Sequence, residues 1–283
     1  MLKSPYIRLL RPEQWTKSLF VLLGVIYSHS WMKIGDAMLA FVAFSLAAST
    51  VYVFNDIHDR QADALHPNKC QRPIACGQVA IKQAYWLLAS LLIMTLLISL
   101  FISYNLIVII LIYWLINFGY NMGLKGLPII DVLSIASGFV LRMLAGTLGI
   151  GLKYSRWLLI SVTFLSLLIA LSKRYLEKKR DLVEPIRPVL SYYSLSLLKA
   201  FIIINAVFAM LSYLVYITAV HRQNLFFLLT TVFALLGMVR YIQVIFQSNR
   251  QQDDPILVMI DDRTIIIYLV GFAICTMLAF LGI

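Results

Sequence analysis

The sequence predicts an all-α polytopic membrane protein, and three observations carry that prediction. Of 283 residues, 61% are hydrophobic and only 13% are charged, about half the charged share of a soluble domain. The apolar residues fall in runs, among them 84–104, 106–118, 157–171 and 264–283, that reach or approach the ~20 residues a helix needs to cross the hydrocarbon. Within these runs there is no polar/apolar alternation of the kind a membrane β-barrel requires.

About nine spans are expected, near 18–33, 36–55, 84–103, 105–121, 128–150, 156–174, 197–220, 224–246 and 264–282. The first and fourth are short enough to be tilted or partly interfacial. The basic start, Met1–Lys17 with Pro5 and Pro12, shows no cleavable signal pattern, so the first span is expected to stay. Residues 1–283 read as a single transmembrane catalytic domain.

Charge fixes an expected orientation. The net charge of +11 suggests nucleic acid in a soluble chain, but in a polytopic protein it reflects basic cytoplasmic loops, and no nucleic-acid partner is expected. With the N-terminus inside, 18 Lys and Arg fall on the inner side against 4 outside (Lys33, Lys153, Arg156 and Arg222), with Arg142 and Arg240 within spans. The N-terminus is therefore expected to be cytoplasmic and the C-terminus external. Cys70, Cys76 and Cys275 lack metal-site spacing and read as reduced thiols.

The chemistry concentrates in Asn55–Gly77, N-D-I-H-D-R-Q-A-D-A-L-H-P-N-K-C-Q-R-P-I-A-C-G, directly after an apolar run. On a continuous helix Asn55, Asp56, Asp59 and Asp63 share about a third of the circumference. Crowded carboxylates repel unless a cation lies between them, and hard oxygen donors suit Mg²⁺, with Mn²⁺ as a substitute. Their reading as a solvated acidic helix end is weakened by Lys69 and Arg72, because a metal–phosphate site needs both signs. His58 and His66 lack the further ligands of a zinc site; His66 reads as a hydrogen-bond donor to phosphate.

Other inner segments add candidates. In S-K-R-Y-L-E-K-K-R, Lys173 and Arg174 share a helix face with Glu177. They read as phosphate ligands beside a second metal ligand, or as cations oriented by the acid, or as an ordinary basic cap. Arg11, Gln14 and Lys17 in R-P-E-Q-W-T-K are substrate contacts or an interfacial anchor. Tyr120 and Lys125 offer phosphate contacts. Asp131 opens a helix and is explained either by the helix dipole or by a ligand. Arg142, buried in a span, requires a partner or a ligand. Gly138 and Gly146 fit close helix packing. The acids Asp253, Asp254, Asp261 and Asp262 read as solvated loop residues.

The one-sided gathering of polar residues argues for an interfacial enzyme over a transporter. N-D-x-x-D-x-x-x-D after the second span resembles the UbiA-type intramembrane prenyltransferase superfamily. H-P-x-K-x-x-R-P-I together with K-R-Y-x-E, R-P-E-Q-W-T-K-S and the stretch L-K-G-L-P-I-I-D-V-L to L-R-M-L-A-G resembles its decaprenyl-phosphate phosphoribosyltransferase branch. The resemblance implies a UbiA-like helical bundle in the bacterial cytoplasmic (inner) membrane, with an Mg²⁺-dependent site facing the cytoplasm. It implies transfer of 5-phosphoribosyl from phosphoribosyl pyrophosphate to a polyprenyl phosphate lipid, with homo-oligomerisation left open. It assigns Asn55, Asp56, Asp59 and Asp63 to Mg²⁺ and pyrophosphate, and makes Glu177 the acid of the second motif. Lys17, Lys69, Arg72, Tyr120, Lys125, Lys173 and Arg174 would surround the phosphates. Ser18, Glu13 and Cys70 depart from that pattern; Cys70 removes a cation beside Lys69. The alternative is prenyl transfer to an aromatic acceptor such as 4-hydroxybenzoate.

Overall fold

A computed structural model describes residues 4–66, 69–123, 127, 129–181, 188–220, 224–248 and 254–281. Its elements are helical, with no strand among the described residues. They are α1 (Pro5–Leu10), a 3₁₀ segment (Pro12–Leu22), α2 (Leu23–Ser28), α3 (Ile34–His58), α4 (Arg60–Ala64), α5 (Ile81–Ile102), α6 (Tyr104–Met122), α7 (Ile130–Ala145), α8 (Arg156–Asp181), α9 (Leu195–Val220), α10 (Leu225–Gln247), α11 (Pro255–Ile260) and α12 (Arg263–Leu281). Eight described helices are long and apolar enough to cross a membrane, so the chain is a multi-pass membrane protein.

The first of the nine expected spans takes a different form. The 3₁₀ segment rises about 2.0 Å per residue against about 1.5 Å in an α-helix. With α2 it is not among the eight described helices long and apolar enough to cross a membrane. Three residues per turn sort its side chains into rows. Ser18 and Val21 are fully buried, Glu13, Thr16 and Leu19 are exposed, and Gln14, Lys17 and Phe20 lie in between.

The chain divides into two compact units. The first holds α1 to α6 and the end of α7 from Leu141 to the loop at Tyr154. Its centre is α3, where Ala37, Ala40, Ala43, Phe44, Ala47 and Ala48 follow helical spacing and are almost wholly enclosed. Small side chains let neighbours approach closely, and Trp114 Nε1 of α6 donates to the Ala47 carbonyl at 3.1 Å. The tightest approach is backbone on backbone: a Cβ on Gly146 would lie 1.6 Å from the Val21 carbonyl oxygen, and one on Gly24 would lie 1.8 Å from that of Gly146. Gly146 is thus a packing glycine, as its sequence context suggested. Ser103 starts α6 by accepting from Leu106 N at 3.1 Å, and its hydroxyl donates to the Gly149 carbonyl at 2.6 Å.

The second unit holds the start of α7 through Val140 and everything from Ser155 onward. There α8 packs on α9 and α10 on α12. Ser161 Oγ donates to the Ala209 carbonyl at 3.0 Å, and the Tyr213 and Thr230 hydroxyls lie 2.8 Å apart. Arg240, charged within a span, reaches Asp262 at 2.9 Å. Hydrogen bonding to Arg240 holds the Asp262 carboxyl below the usual carboxylate range. Asp254 caps α11 by accepting from Ile256 N at 3.0 Å, with Pro255 in the first helical position. Asp254 and Asp262 are therefore structural, which corrects their reading as plain solvated loop acids. Asp253 lies outside the described residues.

Candidate active site

In the first unit the acidic motif is built on a helix distorted at Asp59, through which Asp59 N still donates to the Asn55 carbonyl and Asp63 N to that of Asp59, both at 2.8 Å. α3 ends at His58, Asp59 occupies the joint with φ −87° and ψ 5°, and α4 resumes at Arg60. The expected helix through the four donors is therefore distorted at Asp59. Asp59 Oδ1 lies 2.9 Å from His58 Nδ1, while Asp56 and Asp63 are almost wholly buried, 2% and 3% exposed.

Two arginines meet those two acids. Arg11 NH2 lies 2.6 Å from Asp56 Oδ1; Arg72 NH1 lies 3.1 Å from the same oxygen and 2.6 Å from Asp63 Oδ2. Two carboxylate oxygens thus converge on one guanidinium nitrogen. Each arginine keeps a face toward water, with its side chain 22–23% exposed.

Local sequence explains how both cations arrive there. Arg11 ends α1 in the left-handed region, φ 51° and ψ 60°, immediately before Pro12. That conformation is strained for a residue with a side chain, and more so before proline. It turns the chain from α1 into the 3₁₀ segment and lays the Arg11 guanidinium 4.9 Å from the centre of the Tyr52 ring. Ser49 Oγ donates to the Leu10 carbonyl at 2.7 Å and accepts from Trp15 Nε1 at 3.0 Å, which fixes the turn against α3. Arg72 sits in a compact chain of turns, with Arg72 N donating to the Lys69 carbonyl and Cys76 N to that of Arg72, both at 2.9 Å. Ile74 and Val79 anchor this loop in a cluster with Leu9, Val53, Ile57, Ala84 and Leu91.

Gln14, Lys17, Asn55, His66, Lys69 and Tyr120 are half-buried in this same unit. Arg142, also in this unit, is 5% exposed, and its neighbours are aromatic. Its guanidinium lies 4.9 Å from the centre of the Phe44 ring and 5.3 Å from that of Tyr113. Buried cation–π contacts of this kind contribute about 2 kcal/mol. Sequence reasoning missed Tyr52, which precedes Asp56 by one helical turn and was legible by spacing. It also missed Phe44 and Tyr113, for which no local signal exists. Lys125 lies outside the described residues.

The second unit holds a separate network. Arg174, 1% exposed, lies 2.5 Å (Nε) and 2.7 Å (NH2) from the two oxygens of Asp131, itself fully buried, and also pairs with Glu177. Of the readings open for Glu177, the pair with Arg174 is the contact present here. Lys173 beside it is half-buried. Breaking a buried pair leaves an uncompensated charge. Arg174→Leu is therefore expected to destabilise the protein by about 3–5 kcal/mol, read as a lower unfolding midpoint in detergent.

Among the described residues no group of three or more His, Cys, Asp and Glu converges as a metal site. The donors in the first unit are nevertheless all oxygen: two carboxylates on one cation position, with the Asn55 amide adjacent in sequence. Mg²⁺ commonly takes one or two carboxylates and completes its shell with water and substrate phosphate. The residues present fit such an ion.

The sequence profile of the UbiA prenyltransferase family matches residues 18–261. The chain belongs to that family. Decaprenyl-phosphate phosphoribosyltransferase of Mycolicibacterium smegmatis is 37% identical over 184 residues, 62% of this chain and 58% of that protein. The Corynebacterium glutamicum protein of the same name is 36% identical over 178 residues, covering 60% and 54%. That of Mycobacterium tuberculosis is 33% identical over 178 residues, covering 60% and 59%. The chain thus spans less than two thirds of the length of these relatives. Among solved structures, a UbiA homolog from Archaeoglobus fulgidus bound to GPP and Mg²⁺ matches with a TM-score of 0.73 at 17% identity, over 98% of this chain and 99% of that one. Digeranylgeranylglyceryl phosphate synthase matches with a TM-score of 0.71 at 21% identity, over 99% and 98%. These two likenesses establish a UbiA fold.

Proposed function

We propose that this UbiA-family protein transfers 5-phosphoribosyl from phosphoribosyl pyrophosphate to a polyprenyl phosphate and releases pyrophosphate. The observation that carries the reading is Arg72 shared between Asp56 and Asp63, in a loop whose H-P-x-K-x-x-R-P-I pattern resembles the phosphoribosyltransferase branch. The names of the relatives that are 33–37% identical support it.

Asp56 and Asp63 are assigned to Mg²⁺ (or Mn²⁺), with Asn55 and Asp59 acting beside them. The metal-bound UbiA structure supports a divalent ion in this fold. When bound, the ion neutralises the leaving pyrophosphate. Arg72 and Arg11 present planar donors that suit phosphate oxygens, and Lys17 and Lys69 supply point charges; Lys173, in the second unit, is assigned to phosphate by its motif alone. Gln14, His66 and Tyr120 are assigned to hydrogen bonds with substrate, and Lys125 to phosphate. Arg142, Asp131 and Arg174 take supporting roles, Arg142 between Phe44 and Tyr113 and the other two in the network with Glu177.

In the reaction the bond from sugar C1 to the pyrophosphate oxygen breaks, and its electron pair leaves on pyrophosphate. A phosphate oxygen of the lipid forms the new bond to C1. That oxygen is already anionic, so no side chain has to remove a proton. The cations stabilise charge where it develops on the leaving group. The charge asymmetry of the loops supports a reaction at the cytoplasmic face of the inner membrane.

Purified protein given Mg²⁺, radiolabelled phosphoribosyl pyrophosphate and decaprenyl or undecaprenyl phosphate is expected to yield labelled lipid and pyrophosphate. No labelled lipid, together with prenylation of 4-hydroxybenzoate from a prenyl diphosphate, would make it an aromatic prenyltransferase instead.

A further inference from the structure

We propose that Arg8, outside the acidic site, is a positioning residue that sets where Arg72 stands on the aspartate pair. Its NH2 donates to the Gln71 carbonyl at 2.7 Å and its NH1 to Gln78 Oε1 at 3.4 Å. Gln71 directly precedes Arg72, so the bond to its carbonyl grips the backbone one residue from the bridging guanidinium. Gln78 lies just past the far side of the same chain of turns, before Val79 N donates to the Pro73 carbonyl at 3.0 Å. Arg8 thus reaches both ends of this loop.

The other residues of α1 fix the point from which Arg8 reaches. Leu9 is fully buried beside Ile74 and Val79 of the same loop. Leu10 is tied to Ser49 through its carbonyl, and Arg11 shares Asp56 Oδ1 with Arg72. Four consecutive residues therefore connect α1 to the loop, the core, α3 and the acid. Three of these attachments are buried or partly buried. Arg8 is exposed, so its removal leaves the core intact and loosens the loop alone.

The inference rests on the proposed site for the donor's pyrophosphate, and its test separates the two. One charged hydrogen bond corresponds to roughly a tenfold change in an equilibrium constant. Arg8→Gln is expected to weaken binding of inorganic pyrophosphate with Mg²⁺, measured by calorimetry, about tenfold. It is also expected to raise the donor KM by a similar factor, while kcat, the acceptor KM and the unfolding midpoint hold. Arg8→Lys, which can still donate to the Gln71 carbonyl, should recover most of the loss. Unchanged pyrophosphate binding in Arg8→Gln overturns the proposal. So does a parallel fall in stability and in both KM values, or an Arg8→Lys variant no better than Arg8→Gln. A wild-type protein that binds pyrophosphate but makes no phosphoribosyl lipid overturns the donor assignment and leaves the Arg8 result standing.

Discussion

Asp56→Asn is expected to lower turnover by about 10³-fold with little change in the unfolding midpoint. The substitution keeps the shape of the side chain and removes the charge that gathers Arg11 and Arg72 at 2.6 and 3.1 Å. Both arginines retain partial access to water, so losing the acid does not strand a buried cation. Asp63→Asn should fall in the same range, because Asp63 holds the other side of Arg72 at 2.6 Å. Asp59→Asn should lose less than about tenfold, since Asp59 lies at the helix joint against His58. Single-turnover rates with saturating Mg²⁺ separate the three. Equal losses at Asp56 and Asp59 would sink the view that Asp56 and Asp63 form the working pair.

Gly146→Ala is expected to destabilise the protein by more than about 3 kcal/mol. The added Cβ would stand 1.6 Å from the Val21 carbonyl oxygen, and no rotamer change moves a backbone atom. Gly24→Ala meets the Gly146 carbonyl oxygen at 1.8 Å and should behave alike. Gly35→Ala is the control: nothing lies within 4 Å of its Cβ position, and alanine is the better helix former. It should be neutral or slightly stabilising. Yield of folded, monodisperse protein and its unfolding midpoint decide the matter. A Gly146→Ala protein as stable as the Gly35→Ala protein would contradict the close crossing.

The sequence was most legible where burial repeats. Apolar runs announce α5, α6, α9, α10 and α12 because a helix in lipid must be apolar all round. The aspartate motif was legible as chemistry but not as geometry. Spacing placed its acids on one helix face but could not show the distortion at Asp59, and the pairing of Asp56 and Asp63 is made by Arg11 and Arg72 from elsewhere in the chain. The surroundings of Arg142 were illegible for the same reason: Phe44 and Tyr113 lie on other helices, far away in sequence. Arg174 and Glu177 could be paired from their spacing, but Asp131, which completes their network, could not.

The 3₁₀ segment also acts as an index. With three residues per turn, Gln14, Lys17 and Phe20 are stacked in one column, and every third neighbour repeats the same orientation. An α-helix would fan those three side chains around its axis. The column has no slack, because deleting or inserting one residue between Pro12 and Lys17 turns everything beyond it by about a third of a turn. Ser18 and Val21 would leave the interior as Lys17 left its row. Length is therefore as constrained in this short stretch as residue identity, and natural variation there should proceed by substitution or by steps of three.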